Sequence, residues 1–414
     1  MRLLRILFHN CRILHPLNGG DRIRTFNMLK ELRKAHELTY LCLRTPADSD
    51  EAVALANEYC HEVIPVPHAV KNKRGPRFYA EVLGNTLFGK YPFLASKYVS
   101  AETVGHLERL IVSGRFDLII CDYLAPMGNL LELGARPRLP MMLFQHNVES
   151  VIFKRHSETA SNPLKRALYR RQWKAVERLE RQAAAFVDTQ VAVSESDVVL
   201  FREMGMTNVL GAVPTGVDCE FFQPPAQRAS RPVMAFLGAM DWDANQDAVR
   251  WFAGEILPRI RAAVPDAEFL GIGRNPPASL RALAENDPRI RLTGTVPDVR
   301  PHMADAAVMI LPLRVGGGTR IKVYEAMAMG TPVVSTSIGV EGLDYEHGKN
   351  VVIADNADDF ATSVIQLLQN PERAAAMAAD ARLHVAANYS WSVVAGIFSR
   401  YCAETVDAAG RRAV

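Results

Sequence analysis

Several things are missing from this chain, and each absence removes a class of function. Its six cysteines stand apart at 11, 42, 60, 121, 219 and 402 with no C-x-x-C pair. That spacing argues against a zinc site or a disulfide framework and for a reducing, cytoplasmic setting. No apolar run reaches the ~20 residues that cross a bilayer as a helix. The opening Met1-Arg-Leu-Leu-Arg-Ile-Leu-Phe8 is interrupted by Arg5 and ends at His9-Asn10-Cys11-Arg12, so it reads as a first strand and not as a leader. Charge of one sign is lacking too: a net charge of +3 over 414 residues points to no nucleic acid partner. There is no G-x-x-x-x-G-K-S/T phosphate loop and no serine nucleophile elbow. Gly271-Ile-Gly273 runs into Pro276 where a dinucleotide fingerprint needs glycine, so it speaks only weakly for NAD. No paired-carboxylate site of glycosidase type is evident, and there is no low-complexity tract.

What is present is an ordinary globular composition, 49% hydrophobic and 22% charged, on a chain long enough for two domains. Strand-like runs at 3–8, 38–43, 62–66, 117–121, 140–145 and 190–193 alternate with helical patterns. Among the latter, 21–35, 51–59, 78–88, 101–113 and 195–203 are short, and 163–185 is long and basic. A second series opens at 233–237 and continues with a helix over 246–263 and strands at 268–272 and 291–293. This alternation predicts α/β architecture with two Rossmann-like domains. The expected boundaries are 1–211, joined by a returning tail helix at 395–414, and 212–394.

The most informative stretch is Leu311-Pro-Leu-Arg-Val-Gly-Gly-Gly-Thr-Arg-Ile-Lys-Val-Tyr-Glu-Ala-Met-Ala-Met-Gly-Thr-Pro-Val-Val334. The apolar run before it suits a strand buried on both faces. Gly316, Gly317 and Gly318 then let the backbone come close to a ligand. Thr319 is the expected N-cap of a helix over 320–329, with Gly330 as its stop. A glycine-rich turn at the carboxyl end of a parallel strand is where such sheets bind ligands, and the helix start favours a phosphate. Glu325 on that helix can accept two hydrogen bonds from a ribose diol. Alternatively, it forms an i,i+3 pair with Lys322.

Glu325-Ala-Met-Ala-Met-Gly-Thr-Pro-Val-Val334, with Ser335-Thr-Ser-Ile-Gly-Val-Glu-Gly-Leu343, Tyr389-Ser-Trp391 and Pro214-Thr-Gly-Val-Asp218, resembles the donor-site signature of family 4 glycosyltransferases. The resemblance covers most of the C-terminal half and is looser in the N-terminal half. It implies a GT-B-like fold, two facing Rossmann-like domains with a ligand cleft between them, and a retaining enzyme that uses a nucleotide-diphospho-sugar as co-substrate, with no other cofactor. It implies Glu325 on the ribose, backbone at Gly294 near the base, and Gly19-Gly20 near the donor or acceptor. It also implies that His146, in Gln145-His146-Asn147, is the active-site histidine. Taken alone, a histidine in such a place is more often a satisfied structural residue than a catalytic one. Arg24, Asp122 and Tyr123 are expected on the acceptor side.

Two departures stand out. The glutamate that such enzymes often carry eight positions before the ribose-binding one is Gly317 here. Their usual diphosphate cations are Ala239 and Asn245 here, which leaves Arg320 and Lys322 as substitutes, Lys322 first. The expected function is transfer of a sugar to a sugar, glycan or lipid-linked acceptor in surface polysaccharide or glycolipid assembly. The alternatives are a nucleotide-sugar epimerase or a non-catalytic nucleotide-sugar-binding protein. The crowded basic residues of 163–185, with Lys71, Lys73, Arg74 and Arg77, can dock on an anionic membrane, or they are simply solvated.

Overall fold

The computed structural model describes residues 2–17, 19–69, 75–160, 162–226, 231–315 and 320–412. The expectations for Gly316, Gly317, Gly318 and Thr319, and for Lys71, Lys73 and Arg74, fall outside these residues. The chain divides into two compact units, Met1–Pro214 with Val394–Val414, and Thr215–Val393.

In the first unit, strands β1 (Arg5–Asn10), β2 (Glu37–Arg44), β3 (Glu62–Pro67), β4 (Leu118–Asp122), β5 (Met141–Phe144), β6 (Thr189–Ala192) and β7 (Val209–Ala212) form one sheet. Their order is β3-β2-β1-β4-β5-β6-β7 and every pairing is parallel. The strands carry continuous apolar runs because helices cover both faces: Leu118–Asp122 and Met141–Phe144 are buried throughout. The order reverses between β1 and β4, and their carboxyl ends are therefore where side chains can converge on a ligand.

Helix α1 (Gly20–Leu32) follows β1. Helix α2 (Pro76–Phe88) precedes a helix missed in the sequence, α3 (Glu149–Thr159). The helical period of α3 is weak, and it is held by packing on α4 (Pro163–Phe186). Asn162 caps α4 by accepting from the amides of Leu164 and Lys165 at 2.9 and 3.2 Å. Strand β7 lies at the expected boundary between the two domains. It pairs with β6 through a register shift, and at Gly211 any side chain would collide with Tyr401 of the tail helix. That tail docks on its own unit through Thr189–Thr405 (2.6 Å), His36–Ser399 (2.5 Å) and Phe144 against Phe398.

The second unit holds β8 (Val233–Leu237), β9 (Glu268–Ile272), β10 (Ile290–Leu292), β11 (Val308–Leu311), β12 (Val333–Ser335) and β13 (Val352–Ile353), in the order β10-β9-β8-β11-β12-β13 and again parallel. Its switch point lies between β8 and β11. The continuous helix expected over 246–263 is split: an α-helix Asp243–Trp251, a π-helical turn Phe252–Ile256, then Leu257–Ala263. Pro258 has no N–H to close the regular ladder, and the wider turn absorbs the defect. The helix of the glycine-rich stretch, α5 (Ile321–Ala328), starts one residue later than expected, with Arg320 in the N-cap position. Gly330 at φ +61° ends it as a left-handed stop.

Candidate active site

Two clusters occupy the two switch points. In the first unit, β1 and β4 end side by side, since His9 pairs with Cys121. That register sets Asn10 next to Asp122. Asn10 Nδ2 donates to Asp122 Oδ2 at 2.6 Å, and Thr25 Oγ1 from α1 donates to the same oxygen at 2.9 Å. His146, just past β5, places Nε2 2.7 Å from Asp122 Oδ1. Tyr123 sits at φ +76°, rare for a residue with a side chain, and its ring lies 3.8 Å from that of His146. Burial pulls the His146 imidazole below its ordinary pKa, and the Asp122 charge opposes that pull.

These positions correct part of the acceptor-side expectation. Asp122 is fully buried and already accepts from Asn10, Thr25 and His146, so its carboxylate is not free for an acceptor. Arg24 is buried as well. Its guanidinium donates to the Val213 carbonyl at 2.5 Å and lies over the Phe144 ring, and burial lowers its pKa to about 10. Tyr123 packs on His146 and is only half-buried. Gly19 has ordinary extended backbone at φ −140°, and a side chain at Gly20 would meet open space, so neither glycine is demanded by backbone geometry. His9, at a similar address, is structural: it faces the Leu41 carbonyl at 3.2 Å, and burial drops its pKa to about 4.

In the second unit, α5 opens at the carboxyl end of β11. Lys322 and Glu325 lie on it three residues apart, and the i,i+3 pair does not form. Among the described residues neither group has a hydrogen-bond or ion-pair partner. Both are nonetheless desolvated: burial lowers Lys322 to about 8 and raises Glu325 to about 7, the Lys322 charge partly offsetting the latter. The Lys322 ammonium lies 5.0 Å over the Phe236 ring. It also comes within 3.0 Å of where a Cβ on Gly238 would be, beside Asn245 Nδ2 at 2.8 Å from the same point. Asn245 spends its amide on the Ala239 carbonyl at 2.8 Å. The lysine of α5 therefore stands next to Asn245 and the Gly238–Ala239 backbone. Arg320 is buried, and burial lowers its pKa against the pull of Glu341. Gly294 has φ +69° and bridges to Gly273, whose own Cβ position is filled by the Gly238 carbonyl. Backbone from three loops thus crowds together beside Lys322.

Sequence reasoning missed Asn10, Thr25 and Gly273. Asn10 carried a usable signal, as a polar residue closing the strand next to the one that Asp122 closes.

Residues 18–221 match the family described as Glycosyltransferase Family 4, and residues 231–370 match Glycosyl transferases group 1. Among curated proteins, a GDP-mannose-dependent monoacylated alpha-(1-6)-phosphatidylinositol monomannoside mannosyltransferase of Corynebacterium glutamicum is 29% identical over 52% of this chain and 61% of its own length. Phosphatidyl-myo-inositol mannosyltransferase of Mycolicibacterium smegmatis is 34% identical over 48% and 52%. The match thus spans less than two thirds of these relatives. Among solved structures, Anabaena HepE in complex with UDP superposes with a TM-score of 0.67 at 14% identity, over 97% of this chain and all of that one. That likeness shows the fold, two parallel-sheet α/β domains of GT-B type. From the two family matches together, this chain is a member of glycosyltransferase family 4.

Proposed function

We propose that the protein is a retaining glycosyltransferase that moves a hexosyl unit from a nucleotide-diphospho-sugar to a sugar, glycan or lipid-linked acceptor. The observation that carries this reading is Lys322 and Glu325, half-buried at the carboxyl end of β11 with no hydrogen-bond or ion-pair partner among the described residues and with pKa values drawn together by burial. Burying charge without a partner is costly, and proteins keep such groups where a ligand completes them. Glu325 takes the ribose hydroxyls, by the family resemblance, and Lys322 takes the diphosphate. The first-turn amides of α5 add partial positive charge. The cation for the leaving group is then a side chain, and the reading needs no resident metal. The acceptor proton passes to a donor phosphate oxygen as the glycosidic bond breaks on the same face. The protein contributes position and charge stabilisation, and His146 orients the transferred sugar.

The names of the two mannosyltransferase relatives favour a lipid-linked acceptor, and surface features agree. No helix among the described residues is long and apolar enough to cross a membrane. Leu83, Leu87 and Phe88 of α2 are exposed, as is Leu164 of α4, near exposed Lys165, Arg166 and Arg170. Arg171 joins the two helices by donating to the carbonyls of Thr86 (2.6 Å) and Leu87 (2.8 Å). Apolar tips among cations suit the surface of an anionic leaflet and support a peripheral position at the cytoplasmic face. The reading is tested by incubating the protein with GDP- and UDP-sugars and a phosphoinositide or polyprenyl-linked acceptor, then reading nucleoside diphosphate release and the anomeric configuration of the product. Transfer with retention is expected. An altered nucleotide-sugar released without acceptor would instead indicate an epimerase.

A further inference from the structure

We infer that Asp122 is a positioning residue for His146, fixing which imidazole nitrogen is presented to the transferred sugar. The inference rests on the sugar-transfer reading above and adds a residue that touches no substrate. A carboxylate only accepts, so the 2.7 Å contact with Asp122 Oδ1 requires the proton on His146 Nε2. Nδ1 is then a lone pair, and no described residue donates to it. The carboxylate is itself immobile: Asn10 and Thr25 hold its other oxygen at 2.6 and 2.9 Å. The ring is clamped by Tyr123 at 3.8 Å and Phe144 at 4.6 Å between centroids. Four elements, β1, α1, β4 and β5, thus converge to hold one tautomer in one orientation. A fixed Nδ1 lone pair accepts from a sugar hydroxyl and holds the ring in its reactive pose.

The charged and titratable groups facing the imidazole are Asp122 and Tyr123 from the end of β4, and Arg24 and Asp21 from α1. Asp122 raises the imidazole pKa against burial. Removing its charge therefore lowers that pKa, and any acid limb of turnover moves to lower pH. An asparagine at 122 can also turn its amide donor toward Nε2, which forces the proton onto Nδ1 and abolishes the acceptor.

The test is 15N–1H correlation of ring nitrogens in histidine-labelled wild type, Asp122→Asn and Thr25→Val, alongside steady-state kinetics. Wild type and Thr25→Val should show Nε2–H, and Asp122→Asn should show Nδ1–H. Turnover of Asp122→Asn should fall about 10- to 100-fold with donor KM nearly unchanged, as expected for a lost charge-assisted hydrogen bond. Thr25→Val, which keeps the carboxylate, should lose less. Wild-type His146 protonated on Nδ1 would overturn the inference by itself, even if Asp122→Asn does not fold. So would a folded Asp122→Asn with only a lowered Tm and normal turnover. Absence of sugar transfer by the wild type would instead sink the functional reading and leave the tautomer assignment standing.

Discussion

The ammonium of Lys322 lies 3.0 Å from the point a Cβ would occupy on Gly238. A residue on the helix after β11 thereby reaches the loop after β8, across the point where the sheet reverses order. That loop carries Ala239 and leads into the helix Asp243–Trp251, which carries Asn245; the family resemblance expects diphosphate cations at these two positions. In the proposed donor site, the lysine of α5 stands in for those cations from the neighbouring element.

Lys322→Ala should therefore weaken nucleoside diphosphate binding more than nucleoside binding, and should cost more turnover than Arg320→Ala. Arg320 is buried in the N-cap position, where its removal acts mainly on stability. Gly238→Ala should mimic Lys322→Ala in a milder form, since the long lysine can yield to the new methyl group. Calorimetric titration with diphosphate and nucleoside separates the terms. Equal losses for both ligands in Lys322→Ala would mean the cation comes from elsewhere.

Glu325 should trade stability for binding. Its folded pKa of about 7 lies above the ordinary carboxylate value near 4.5. Between those values the folded protein holds a proton that the unfolded chain releases, so this group's contribution falls as pH rises through about 7. Glu325→Gln should raise Tm at pH 8 and leave it unchanged at pH 4, by differential scanning fluorimetry. An equal Tm difference at both pH values would contradict the burial argument.

His146→Ala should lower turnover by about tenfold, the upper end for a neutral hydrogen bond to the sugar, while leaving donor affinity within a factor of about 3. Kinetics on the purified variant decide. A raised donor KM with turnover preserved would make His146 a binding residue.

The sheet orders were not legible in the sequence, but the alternation that produces them was, because buried parallel strands read as plain apolar runs. The helix Glu149–Thr159 was missed because its contacts with Pro163–Phe186 stabilise it more than its own pattern does. The same limit applies to the site. Glu325 and His146 stood out as candidates because each sits beside a recognisable local motif. The Asp122 carboxylate looked available from sequence, yet Asn10 and Thr25, distant along the chain, consume it. Arg24 looked available to an acceptor for the same reason, yet it is buried and donates to the Val213 carbonyl. Local sequence places a group at a strand end, whereas the partners that saturate it come from other strands.

Vesicle binding should depend on apolar tips and cations together. Phe88→Asp and a combined Lys165→Glu, Arg170→Glu variant should each reduce sedimentation with anionic liposomes at low salt, each charge near the surface counting for about 1 kcal/mol. No preference of the wild type for anionic over neutral vesicles would remove membrane docking from the account.

The most direct test of the central claim is isothermal titration of GDP and UDP into wild type and Glu325→Ala. The account predicts that at least one nucleoside diphosphate binds the wild type, and that Glu325→Ala, still folded, loses about 1.5–3 kcal/mol of that affinity. No binding of either ligand by the wild type, or unchanged affinity in a folded Glu325→Ala, would contradict it.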